Sequence, residues 1–230
     1  TIVVSNPPNG KLRWEKTTNV NFGMDLGLLK NRINLTVDVY NRKGTDMISM
    51  RETPLETGFA YTMVNWGEIT NKGFEIALTT RNIDTKNFKW STTINLAHNK
   101  SNVLQENVSE NSTLPSRVGL PVNAVFALKT AGLDEAGNPM FWKGKEKVSA
   151  KDFFALYDLY ADFLPGEIAE SKLTNAEMRS LFTYIGDRDP KFTGGIINTF
   201  KIKDFDINVS AAFNYKQTIM STPPYRGMEV

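Results

Sequence analysis

Through much of this chain apolar and polar side chains alternate one by one, in segments of about ten residues. Val20, Phe22, Met24 and Leu26 alternate with Asn19, Asn21, Gly23 and Asp25. Past a turn at Lys30, Asn31 and Arg32, Ile33, Leu35, Val37 and Val39 alternate with Asn34, Thr36, Asp38 and Tyr40. A period of two sends the two sets to opposite faces of a sheet. Six segments follow this template: 17–27, 33–42, 73–81, 89–98, 192–200 and 206–215. Each is near the length with which a tilted strand crosses a bilayer.

The six segments pair as three hairpins through short connections at 28–32, 82–88 and 201–205, which carry Asn, Asp or Lys as exposed turns do. Between hairpins the connections are long, 43–72 and 99–191. A compact soluble meander seldom tolerates such lengths. Short turns on one side and long external loops on the other predict an all-β fold: antiparallel strands of a large transmembrane β-barrel. The alternative is a soluble β-sandwich with two large insertions, because alternation alone does not say whether water or lipid lies outside.

Residues 121–130 also alternate, through Val122, Ala124, Phe126 and Leu128. A seventh crossing here would reverse the direction of the next strand, so the segment is assigned to the external region. From Ser149 to Leu181 the period turns helical. Ser149 precedes Asp152, and Thr174 precedes Glu177, by three residues, as in a capping box. Phe153, Leu156, Tyr157 and Tyr160 then share one face of a short helix, most simply packing within the folded loop.

Composition changes this picture little. With 27 basic and 25 acidic residues the net charge is +2, too even for a nucleic-acid partner. The absence of cysteine rules out disulfides and thiolate metal sites. No stretch approaches the roughly 20 apolar residues of a membrane helix. The mean hydropathy of −0.33 does not exclude a barrel, whose strands are half polar.

Candidate chemistry is sparse. His98 is the only histidine, and there is no nucleophile elbow, glycine-rich phosphate loop or zinc-binding HExxH helix. No catalysis, cofactor or metal is expected. Two acidic groups, Asp134 with Glu135 and Asp187 with Asp189, carry oxygens that suit a hard cation, but their Gly, Asn and Pro neighbours read more simply as turns. Trp14, Tyr40, Phe74, Phe88, Trp90 and Phe205 stand near strand ends, where an interfacial aromatic girdle would lie. Trp66, Phe141 and Trp142 fall in the long loops and are the candidate substrate-binding residues, able to stack on a ligand or to pack within their own loops.

Particular strings add to the periods. KLRWEKTTNVNFGMDLGLLKNRINLTVDVYNRKGTDMI, from Lys11, resembles the barrel of the SusC/RagA family of TonB-linked outer-membrane proteins. Trp14, Glu15, Thr17, Asp25, Leu28, Asn31, Arg32, Asp38, Tyr40 and Asp46 fit the family pattern, while Ile33 and Gly44 depart from it. VNWGEITNKGFEIAL from Val64, FKWSTTINLAHNKSNV from Phe88, GLPVNAVFALKTAGLD from Gly119 and the run from Tyr184 to Tyr215 are similar in the same order. The stretch from about Glu135 to Phe182 is unmatched. The resemblance implies a 22-stranded barrel in the bacterial outer membrane that imports a glycan or peptide, is powered through TonB and carries a SusD-like surface lipoprotein as a lid. It also implies that this chain is an internal piece of that barrel, without the plug or the N-terminal extension. A surface binding or adhesion module without transport is the rival reading.

Overall fold

The computed structural model describes residues 7–110, 112–143, 145–150, 152–153 and 174–220. It divides into two units. The first contains a six-stranded antiparallel sheet built from β1 (Lys16–Leu28), β2 (Ile33–Glu52), β3 (Tyr61–Asp84), β4 (Phe88–Gln105), β10 (Phe192–Ile202) and β11 (Phe205–Tyr215), in that spatial order. Neighbours in the sheet are also consecutive strands of the chain except β4 and β10, between which the second unit is inserted.

The three tight connections form as expected. Leu29, Lys30 and Asn31 take positive φ angles of 52°, 56° and 60° in the β1–β2 turn. Three consecutive left-handed residues reverse the chain within four positions, and Arg32 closes the turn by donating its backbone N–H to the Leu29 carbonyl at 3.3 Å. Thr85 shapes the β3–β4 turn with its hydroxyl, which donates to the Phe88 carbonyl at 2.8 Å and accepts from the Phe88 N–H at 3.1 Å. The β10–β11 connection is only Lys203 and Asp204.

The expected external loop 43–72 is mostly strand instead. β2 and β3 stay paired to Glu52 and Tyr61, so the hairpin continues about ten residues beyond a membrane crossing. Register shifts at Gly44/Met47 and Met47/Ile48 break the alternation, since each extra residue moves the following side chains to the other face. β4 likewise runs past His98 to Gln105.

In the second unit β5 (Ala124–Leu128) pairs with β9 (Phe182–Asp187), outside the six-stranded sheet. β6 (Thr130–Leu133), β7 (Pro139–Lys143) and β8 (Glu146–Ser149) form a small antiparallel sheet. Phe141 and Trp142, expected in irregular loop, are therefore strand residues; such short strands, separated by Asp, Gly and Asn, leave no periodic signal. A helix spans Asn175–Leu181 behind the expected capping box: Thr174 accepts from the Glu177 N–H, and Glu177 accepts from the Thr174 N–H at 2.8 Å. The Thr174 N–H, and with it the Thr174 hydroxyl donating to the same carboxylate at 2.8 Å, holds the Glu177 carboxyl below its ordinary pKa. At the earlier start, the Asp152 N–H donates to the Ser149 hydroxyl at 3.1 Å. Leu156, Tyr157 and Tyr160 lie outside the described residues.

Candidate functional site

The register of the six-stranded sheet sorts its side chains into two faces. On one, Met24, Val37, Ile76, Leu96, Gly194 and Phe213 form a cross-strand row, and Leu26, Leu35, Leu78, Ile94, Ile196 and Ala211 form the next. On the other face, Asp25, Thr36, Ala77, Asn95, Gly195 and Ala212 stand between those two rows. A soluble sandwich would cover the apolar face. Here Val20 and Phe22 are 65% exposed and Val209 56%, while among the described residues of this unit Val103 alone is a buried apolar side chain. An apolar face of this size left open to the surroundings is a lipid-facing surface.

Aromatic residues mark both edges of that face. At the long-loop end Phe74, His98, Phe192 and Tyr215 follow one another across four strands, with ring centroids 5.5, 4.8 and 6.3 Å apart. At the short-turn end Trp90 stacks on Phe200 at 5.8 Å, beside Phe88 and Phe205 on the same face. From Phe192 to Phe200 is nine residues inclusive, the crossing length of a tilted strand. His98 thus serves as a girdle residue, its Nδ1 2.5 Å from the Lys191 carbonyl. Trp90 Nε1 and the Thr92 hydroxyl both donate to Asn198 Oδ1, at 3.0 and 2.7 Å, so these polar groups remain paired at the edge of the apolar face.

Tyr40, expected in the girdle, belongs to the polar face. It sits one residue out of phase with Val39, and its ring lies over Gly73, where a Cβ would come 2.5 Å from the hydroxyl. That hydroxyl donates to Asn99 Oδ1 at 3.1 Å. Trp14 is also outside the girdle, 90% exposed ahead of β1. Around Tyr40, Asn21, Arg42, Asn71 and Glu75 line a shallow polar groove. Nearer mid-strand the Thr36 hydroxyl donates to Asp25 at 2.6 Å. At the short-turn end a charged belt carries the pairs Lys89–Asp84 at 2.9 Å and Lys201–Asp206 at 3.9 Å. This face carries many hydrogen-bonding side chains.

Beyond the crossing, residues 9–16 clasp the extended β2–β3 hairpin. The Asn65 side chain accepts from the Arg13 N–H at 2.9 Å and donates to the Arg13 and Asp46 carbonyls at 2.8 and 2.6 Å. Glu15 accepts from the Ile48 N–H at 2.7 Å. The Asp46 carboxylate takes Arg13 at 2.5 Å and Lys16 at 3.3 Å, and these cations hold its pKa below the usual carboxylate range, the Arg13 hydrogen bond most of all. Sequence reasoning noticed Glu15 and Asp46 as motif positions without finding this clasp. No local signal links residues some thirty positions apart in an irregular stretch.

Of the three candidate aromatics, Trp66 belongs to the first unit and Phe141 and Trp142 to the second. Trp66, 48% exposed, is the extra residue between Asn65 and Gly67 where β3 bulges against Met47 and Ile48. Phe141 and Trp142 are successive residues of β7 and so project to opposite faces of their sheet. Phe141 stacks on the buried Phe153 at 5.0 Å, whereas Trp142 lies between the ammonium groups of Lys129 and Lys147. The Asp134 carboxylate is engaged by its own turn, accepting from the Ala136 and Asn138 N–H groups at 3.0 and 2.7 Å and from Asn138 Nδ2 at 3.0 Å. Those bonds lower its pKa. Asp189 accepts from Asn123 Nδ2 at 3.1 Å.

A strip of strands polar on one face, apolar on the other and edged with aromatic rings is the wall of a large transmembrane β-barrel. The chain belongs to the TonB dependent receptor-like β-barrel family, whose model matches residues 2–221. It is 28% identical over 221 residues to TonB-dependent receptor P3 of Formosa agariphila, covering 90% of this chain and 21% of that protein. Over 96 residues it is 36% identical to TonB-dependent receptor SusC of Bacteroides thetaiotaomicron, covering 41% of this chain and 10% of SusC. In structure it is similar to the RagAB peptide importer in its open-open state, with a TM-score of 0.69 over 94% of this chain and 22% of that one, at 21% identity. The chain thus spans about a fifth of the length of these longer relatives.

Proposed function

We propose that this chain is a wall segment of an outer-membrane TonB-dependent importer that takes up a large nutrient, a glycan or a peptide. The observation that carries the reading is the two-faced sheet: a polar face of Asn, Thr, Ser and Asp side chains backed by an apolar face one membrane crossing tall. Its relatives are named as TonB-dependent receptors, and one resembling structure as a peptide importer, which supports transport over catalysis. In this reading the polar face lines the passage and gives the solute exchangeable hydrogen bonds, while the external strands and loops select it. The energy-coupling partner is the TonB complex, reached through other parts of the whole transporter, and a SusD-like lipoprotein covers the external mouth. Trp66 and Trp142 are the aromatic contacts offered to the solute outside the membrane.

Deleting the parent gene and measuring uptake of labelled oligosaccharides and peptides tests this. Loss of uptake of one class, restored by the intact gene, is the expected result. Unchanged uptake of both classes together with lost surface adhesion would replace it with an adhesion role.

A further inference from the structure

We propose that Lys129, Trp142 and Lys147 form a recognition platform for an anionic oligosaccharide, one bearing sulfate or uronate groups. The inference rests on the import reading and narrows its solute. The three residues lie across three adjacent chain segments in one row: Trp142 and Lys147 are direct cross-strand partners, and the Trp142 N–H donates to the Lys129 carbonyl at 3.1 Å. The two ammonium groups stand 5.7 and 5.4 Å from the indole centroid. Both lysines are exposed, and among the described residues neither ammonium has a carboxylate partner. The nearest acid on β8, Glu146, is in register with Lys143, one position out of phase with Trp142, and so belongs to the other face.

That other face is the packed one, where Phe141 meets Phe153. On the Trp142 face the ring is flanked by two ammonium groups without a carboxylate partner among the described residues, on chain segments about 9–10 Å apart. Such a row matches a short run of sugar rings: the C–H face of one ring lies against the indole, and acidic substituents on either side reach the lysines. A peptide fits less well. A peptide that docks by strand addition needs a free sheet edge, and the flat of a sheet has its N–H and C=O groups committed to the ladder. Trp142 is half-buried, and a lysine–ring contact there is weak beside a charge pair with an anion.

The test is binding to the full-length transporter in detergent, measured by titration calorimetry. Three probes are compared: a sulfated dextran oligosaccharide, the uncharged dextran oligosaccharide of the same length, and an oligoglutamate peptide. The wild type is expected to bind the sulfated sugar at least tenfold more tightly than either other probe, with affinity falling as salt is added. K129Q/K147Q is expected to lose at least tenfold and K129R/K147R to retain binding. W142L is expected to lose affinity even at low salt. Because both lysines are exposed, the glutamine pair leaves the fold intact, which circular dichroism checks. Unchanged affinity in K129Q/K147Q, or tighter binding of oligoglutamate, would overturn the proposal. Uptake in the deletion strain separates the two readings: lost uptake without sulfated-sugar binding defeats only the platform, and binding with unchanged uptake defeats only import.

Discussion

Single residues decide how the external hairpin and the sheet surface are held. Asp46 gathers two cations onto one carboxylate, and its depressed pKa fixes the direction of the pH response. A carboxyl with a lower pKa folded than unfolded adds stability that is fully present above the unfolded value and is lost as pH falls through the folded one. The clasp is therefore intact at neutral pH and loosens only in acid below the usual carboxylate range. Asp46→Asn should raise amide hydrogen exchange at residues 47–52 and 61–66 at neutral pH and remove the acid dependence of that exchange. Gly194 is a second case. A Cβ there would meet the Phe213 ring at 2.7 Å and the Asn95 carbonyl at 2.8 Å, and the carbonyl cannot move aside. Gly194→Ala should destabilise the folded barrel by about 1–3 kcal/mol, read as a lower urea midpoint in lipid vesicles. At this scale Tyr40 was legible: its phase against Val39 already assigned it to the polar face, and position near a strand end misled where parity did not.

The spanning strands were legible because lipid on one side and a wet lumen on the other impose strict alternation. Outside the bilayer that constraint lapses, so the continuation of β2 and β3 through their bulges could not be read from periodicity. The helix at Asn175–Leu181 announced itself through a local pair, Thr174 and Glu177, whereas β6, β7 and β8 are held by partners that no pattern names. The two faces can be separated with adjacent residues. Ile94 lies in the middle of the apolar face and Asn95 beside it on the polar face. Ile94→Arg should cost about 2–4 kcal/mol and reduce the folded, heat-modifiable fraction of the closed barrel, since a charge near the bilayer midplane is poorly solvated. Asn95→Arg should fold normally and, in the proposed importer, alter solute uptake instead. Equal folding defects in the two variants would mean that the faces had been assigned wrongly.

For the whole molecule the decisive features are the two outer edges of the sheet. β1 and β11 each pair on one side only, so thirteen residues of one and eleven of the other carry a row of backbone groups with no ladder partner among the described residues. In hydrocarbon such edges are untenable, and a barrel satisfies them by closing on its remaining strands. The apolar face presents the same requirement in another form, since Phe22, Val209 and Phe213 have lipid as their natural neighbour. These two demands make the six-stranded sheet dependent on further strands and on lipid. Produced alone and diluted from urea into buffer, the 230-residue segment should sediment as aggregate. In detergent it should stay dispersed without acquiring the heat-modifiable mobility of a closed barrel, whereas the full-length transporter refolded in the same detergent should acquire it. A soluble sandwich would do the opposite and remain a compact monomer in plain buffer, because its apolar residues would already be covered by a second sheet. Analytical ultracentrifugation of the isolated segment with and without detergent separates the two architectures, and a detergent-independent monomer would require the apolar face to be buried in the protein.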